Sequence, residues 1–225
     1  MKLRRYMQDS RFFLAENIGF PYELESRGWT KSGTPSATNS PVGKAGFFNG
    51  ATPDYWTIPD TDTETWMNAT TDYITVMAWV CPTYVHASYS AHIIAREGDS
   101  AGWSMYLTKV TRVPQITLKG LAGLNGVSFF NTDAVALNTW THLACSFYVD
   151  TGTIANNVGT FYVNGDATNT DVLRSIDTIV SNSDITVGAR AAGDSPFYGG
   201  IADPMIVKGE LSAQEIENIA LGVAF

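Results

Sequence analysis

The chain has 225 residues, enough to bury a sizeable core without staples, and its two cysteines, Cys81 and Cys145, are too few for a disulfide scaffold and match no zinc spacing. Only 16% of the residues are charged, and a formal net charge of −8 argues against a nucleic-acid footprint on the body. The 25 threonines, with many Ser, Asn and Gly, favour strands with neutral polar outer faces over helical bundles.

Residues 1–28 carry apolar pieces without a clear period and read as an arm with one turn of helix at most. Lys2, Arg4, Arg5 and Arg11 against Asp9 give residues 1–11 a local charge of +3, so the remainder stands at −11. Two readings fit this arm: an ordinary solvated terminus, or a basic segment docking onto an acidic neighbour such as another copy of the chain. The opening MKLRRYMQDSRFFL lacks the apolar core and small-residue cleavage site of a secretory signal, so none is expected. No segment approaches the ~20 apolar residues of a membrane span, so no membrane insertion is expected. The triplet Asn68-Ala-Thr70 therefore reads as an accidental match to a glycosylation site. Residues 30–46, small, polar and broken by Pro35 and Pro41, read as a loop or linker into the main domain.

From Phe47 the pattern is β throughout. YITVMAWV (73–80) is continuously apolar, which predicts a central strand buried on both sides. Short strands follow at 91–97, 102–109, 114–120, 140–149 and 159–165, the last ending on Asn164-Gly165, whose residues suit the positive φ values of a tight hairpin. Both cysteines fall in such apolar runs and read as buried thiols. The stretch Ile185 to Ala220 reads as strand, Gly-rich loop, aromatic-glycine turn, strand and short helix. Ser212 and Glu215 form a capping box for that helix, and Ile216 and Ile219 supply its apolar face.

Six blocks carry a resemblance: FFNGATPDYWTI (47–58), ITVMAWVCP (74–82), IIAREGDSAGWSMYL (93–107), LNTWTHLACSFY (137–148), FYVNG (161–165) and the closing stretch from Ile185. Together they resemble concanavalin A-like sandwiches, nearest to the laminin-G and pentraxin-like branch, over roughly residues 42–222. The resemblance implies an all-β fold: a two-sheet antiparallel jelly-roll sandwich over residues 42–225, with one short C-terminal helix and an N-terminal arm and linker over 1–41. Relatives of this kind include lectins, adhesion modules, non-catalytic parts of enzymes, virion surface proteins and some glucanases.

The glucanases place carboxylates on alternate positions of one strand, in the order E-x-D-x-x-E, which puts two side chains on one face for acid and nucleophile work. This chain has no such strand. Glu215 and Glu217 lie on the terminal helix, where residues two apart do not face each other. Glu23 and Glu25 lie in the arm, and His86, His92 and His142 belong to no triad motif. Hydrolysis is therefore not expected. Many relatives hold calcium, several through a double aspartate before the final strand; here those positions are Ala202 and Asp203, followed by Pro204. The missing carboxylate weakens a site there, leaving Asp54 and Asp99 as loop ligands if calcium is bound, so no cofactor is expected.

Sugar binding typically stacks an apolar sugar face on an exposed ring, with polar groups alongside. Tyr84, Tyr89 and Trp103 lie near loops and are the candidate platforms, with Trp56 and Trp66 before the central strand. Trp79, Trp140, Phe147 and Tyr162 lie within strands and read as core. The loop AREGDSAGW (95–103) lacks the Lys-Ser/Thr ending and following helix of a phosphate cradle. The expectation is a non-enzymatic surface module of a virion or other large assembly, docked by Lys2, Arg4, Arg5 and Arg11 and presenting a lectin-like face to a cell-surface glycan. A stand-alone lectin or adhesin is the alternative.

Overall fold

The computed structural model describes residues 12–15, 28–50, 54–58, 73–97, 102–119, 127–130, 133–148, 158–172, 183–190 and 193–222. Among these, the strands form two antiparallel sheets and a single helix follows them. Sheet A runs β13 (Asp166–Val172), β12 (Val158–Val163), β11 (Thr141–Tyr148), β6 (Tyr73–Pro82), β15 (Tyr198–Lys208), β4 (Gly43–Asn49) and β3 (Ser36–Ser40). The short strand β1 (Phe12–Ala15) pairs the later half of β15, with Phe12 opposite Val207 and Ala15 opposite Met205. Sheet B runs β10 (Val127–Phe130), β9 (Pro114–Lys119), β8 (Gly102–Leu107), β7 (Ala91–Glu97), β14 (Ile185–Val187), β5 (Tyr55–Ile58) and β2 (Thr30–Ser32).

Alternation along each strand decides what lies between the sheets. On β6, Ile74, Val76, Ala78 and Val80 point inward, as do Leu143, Cys145 and Phe147 on β11. From sheet B, Trp103, Met105 and Leu107 of β8 meet them with Ile116 and Leu118 of β9. The opposite positions of sheet A are apolar too: Met77, Ala144, Tyr162, Met205 and Val207 form a second, smaller core. Its cover is Leu211 together with Ile216 and Ile219 of α1 (Ala213–Ala220). The capping box forms as expected: Ser212 Oγ accepts from the Glu215 backbone N–H at 3.2 Å, and Glu215 Oε2 accepts from the Ser212 backbone N–H at 2.8 Å. β6 is thus largely apolar on both sides because both of its faces are covered, and sheet B carries Ser104, Tyr106, Thr117 and Lys119 on its outer face.

Most predicted strands lie within two residues of the observed bounds. Asn164 and Gly165 form the β12–β13 turn with φ of 53° and 94°. Two readings change. Residues 30–32 and 36–40, taken as linker, are edge strands, and residues 12–15, within the segment read as an arm, form a strand. Strands upstream of residue 42 therefore belong to the sheets. Both cysteines are free thiols, Cys145 buried and Cys81 half-buried, and burial pushes each up from the usual thiol range. Among the described residues no helix is long and apolar enough to cross a membrane.

Candidate functional site

The site lies on the outer face of sheet B, where the residues between the inward Trp103, Met105, Leu107, Ile116 and Leu118 are Ser104, Tyr106, Thr117 and Lys119. With His92 and Glu97 of β7, Ser88 to Ser90 before it, Lys109 after β8, and Arg190 and Ser195 after β14, they line a cavity of about 310 Å³.

Its charged floor is built around Gly102. This residue pairs Glu97 on one side and Lys119 on the other, and it has no side chain to separate them. Lys119 Nζ reaches across it to donate to Glu97 Oε1. Glycine is required here: φ is 121°, and a Cβ would fall 2.0 Å from the Arg96 carbonyl oxygen. Glu97 is buried, accepts from Ser104 Oγ at 2.5 Å through Oε2, and has Arg190 Nη1 at 3.6 Å from Oε1. Arg190 is clamped by Asp194, with Nε donating to Oδ1 at 2.8 Å and Nη2 donating to Oδ2.

His92 stacks on Tyr106, its cross-strand partner, with ring centroids 4.9 Å apart. Tyr106 is steadied by a 2.8 Å hydroxyl bond with Thr117. Burial pulls His92 down to about 4, so its ring is neutral at neutral pH, and its Nδ1 is buried without a partner.

Beside the cavity stands an aromatic wall. His86 stacks flat on Tyr89 at 3.8 Å, and the Tyr89 and Tyr198 hydroxyls share a hydrogen bond of 3.0 Å. Tyr84 meets Tyr198 edge-on at 5.1 Å and remains 49% exposed, the outermost ring of the group. Burial and the bond to Tyr198 push the Tyr89 phenol up to about 12, so the bond persists across the physiological range.

The structure thus brings Tyr84 and Tyr89 together and separates Trp103 from them. Trp103 is fully buried, 6.4 Å from Phe147 in the inter-sheet core, so it is not a sugar platform. The reason is parity: β8 begins at Gly102, and Trp103 shares the inward face with Met105 and Leu107. Trp56 is buried as well, while Phe147 and Tyr162 are buried as expected; Trp79 and Trp140 are only half-buried. Lys2, Arg4, Arg5, Arg11, Trp66 and Asp99 lie outside the described residues. Asp54 accepts from the backbone N–H groups of Thr34 and Asn49 at 2.9 and 2.8 Å, so its carboxylate organises a turn. Asp203 sits in a bulge of β15 with φ 43° and is buried. Among the described residues no three His, Cys, Asp or Glu side chains gather as a metal site.

Sequence reasoning missed His92, Glu97, Ser104, Tyr106, Thr117, Lys119 and Arg190. The polar half of the alternation in GWSMYL and PQITLK was the available signal for four of them.

The comparisons with known proteins agree with this architecture. A laminin G-type family model, described as the concanavalin A-like lectin/glucanases superfamily, matches residues 49–217. No curated protein matches the chain significantly. Among solved structures, the botulinum neurotoxin serotype G binding domain is similar at a TM-score of 0.67 and 16% identity, covering 86% of this chain and 46% of that one. The binding domain of Paraclostridial Mosquitocidal Protein 1 gives a TM-score of 0.66 at 13% identity, covering 85% and 46%. The chain spans about half the length of these toxin domains. Domain 4 of an extracellular arabinanase from Geobacillus stearothermophilus, in complex with arabinotriose, gives 0.63 at 19% identity, covering 85% of this chain and 86% of that one. At these identities the structures attest the fold alone. With the family model covering most of the chain and both sheets in place, the chain belongs to the concanavalin A-like lectin/glucanases superfamily.

Proposed function

We propose that the chain is a non-catalytic carbohydrate-binding module, displayed by a virion or other large particle, that recognises glycan through the outer face of sheet B. The observation that carries the reading is the wall of Tyr84, His86, Tyr89 and Tyr198 standing beside an open polar cavity. A ring with one free face beside fixed hydroxyls and charges suits a sugar, which has an apolar face and a polar edge. The neighbours' names support it: several similar structures are toxin binding domains, and one is an arabinanase domain with arabinotriose.

The lining supports binding over hydrolysis. Glycoside hydrolysis by the usual route needs two carboxylates flanking the bond. Among the described residues that line the cavity, Glu97 is the single carboxylate, and it is engaged with Lys119 and Ser104.

A glycan array followed by titration of the strongest ligand tests the proposal. Tyr84→Ala should weaken that ligand about fivefold or more through lost stacking, with thermal stability unchanged because the ring is half exposed. Binding to no glycan, or an unchanged affinity in the variant, would overturn it.

A further inference from the structure

We infer that Lys119 and Arg190, on the floor of the sheet B cavity, recognise two adjacent hydroxyls of one neutral sugar ring, each hydroxyl oxygen accepting from one of the two side chains. This deepens the carbohydrate-binding reading and rests on it.

Geometry is the first argument. Lys119 Nζ donates to Glu97 Oε1, and Arg190 Nη1 stands 3.6 Å from the same oxygen. Two contacts of that kind on one atom hold the cationic heads no more than roughly 7 Å apart. Two neighbouring ring hydroxyls bridge such a span with ordinary hydrogen bonds. A ligand can also reach both heads. Lys119 and Arg190 are 26% and 33% exposed and line the cavity, whereas Glu97 between them is 3% exposed. Tyr89 lines the same cavity, so the floor and the aromatic wall meet one ligand.

Preorganisation is the second. Glu97 holds Lys119 and is itself held by Ser104 Oγ at 2.5 Å. Asp194 grips Arg190 through Nε and Nη2, which turns Nη1 toward Glu97. Both side chains are therefore ordered before a ligand arrives, which lowers the entropy cost of binding.

Charge selects hydroxyls over a carboxylate. Lys119 and Arg190 are matched by Glu97 and Asp194, two cations against two carboxylates. Lys109 lines the cavity too, but it follows β8 at the end opposite Gly102, the partner of Lys119, and so stands apart from this group. An acidic sugar would compete with Glu97 for the same cations and meet two fixed carboxylates at short range. A hydroxyl oxygen needs only a donor. An ammonium group has three, and Lys119 gives one of them to Glu97.

Calorimetric titration of the full chain with methyl β-galactoside, methyl α-mannoside and methyl β-glucoside, each beside its monodeoxy analogues, tests this. In at least one series, loss of either of two adjacent hydroxyls should weaken binding about tenfold, the value of a hydrogen bond to a charged group, and loss of any other should matter less. Lys119→Met should make one of those two losses silent and Arg190→Met the other. The deoxy series on the unaltered chain decides the matter even where a variant fails to fold. Galacturonate should bind no more tightly than galactose. Absence of an adjacent pair from every series that binds, full losses persisting in both folded variants, or a tenfold preference for the acid overturns this inference and leaves carbohydrate binding standing. Binding to none of the three glycosides overturns it too, and the glycan array then decides the wider reading.

Discussion

His92 and His142 lie on opposite sheets but share one physical state. Burial pulls each down to about 4, and each has an unpartnered Nδ1. His142 faces outward from sheet A, with its ring 5.5 Å from that of Trp79. In an unfolded chain a histidine titrates near 6.5, so acid favours unfolding. Each histidine's contribution is complete above pH ~6.5 and declines by roughly 1.4 kcal/mol per pH unit as the pH falls toward 4. Asp203 acts in the opposite sense. Burial pushes its carboxyl up to about 7, so its neutral form is favoured in the fold, and stability from it is lost as the pH rises from 3.8 to about 7. Two histidines against one aspartate leave a net decline of roughly 1.4 kcal/mol per unit on acidification from pH 6.5 to 4. Urea denaturation at pH 7, 6 and 5 measures this slope. His142→Phe should bring it close to zero by leaving one histidine against Asp203; an unchanged slope would remove His142 from the account.

At the scale of elements, α1 is the lid of sheet A. Its capping box joins Ser212 and Glu215, and its Ile216 and Ile219 complete the smaller core against Met77 and Val207. Ser212→Ala should lower stability by about 1 kcal/mol in denaturant titrations. Sugar affinity should not change, because the helix packs on the sheet opposite the cavity; a loss of affinity would contradict the division of labour between the two outer faces. This helix was fully legible in the sequence, since a capping box and two isoleucines are local signals. β6 and the Asn164-Gly165 hairpin were legible for the same reason. Trp103 was misplaced because it follows a Gly-rich loop, although its spacing from Met105 and Leu107 marks it as inward. The strands β2 and β3 left little trace, being short, exposed and built of neutral polar residues on sheet edges. Least legible was the cavity. Glu97, Gly102 and Lys119 meet only through strand register, and Arg190 arrives from a loop far along the chain, so no local pattern announces them.

The whole molecule is two-faced. Among the described residues, the helix packs on sheet A, whereas the outer face of sheet B carries the ionic floor beside the aromatic wall. On the proposed reading, the module would bind on one side and could be held on the other. The proposed holding element is the basic segment with Lys2, Arg4, Arg5 and Arg11, directed at the acidic body of a neighbouring copy. Removing residues 1–11 spares β1 and should keep the melting temperature. Light scattering should then report a monomer, where the full chain runs above its 24.4 kDa; a full chain that is already monomeric would refute self-docking. A mechanical consequence follows from β15. Tyr198, in the aromatic wall, is the first residue of an eleven-residue strand laddered to β6 along one edge and to β4 and β1 along the other. Tension entering through a bound glycan would run along that strand and load both ladders in shear. Many hydrogen bonds would then have to fail together rather than peel one at a time, so the proposed grip would be anchored in a strand paired along both edges.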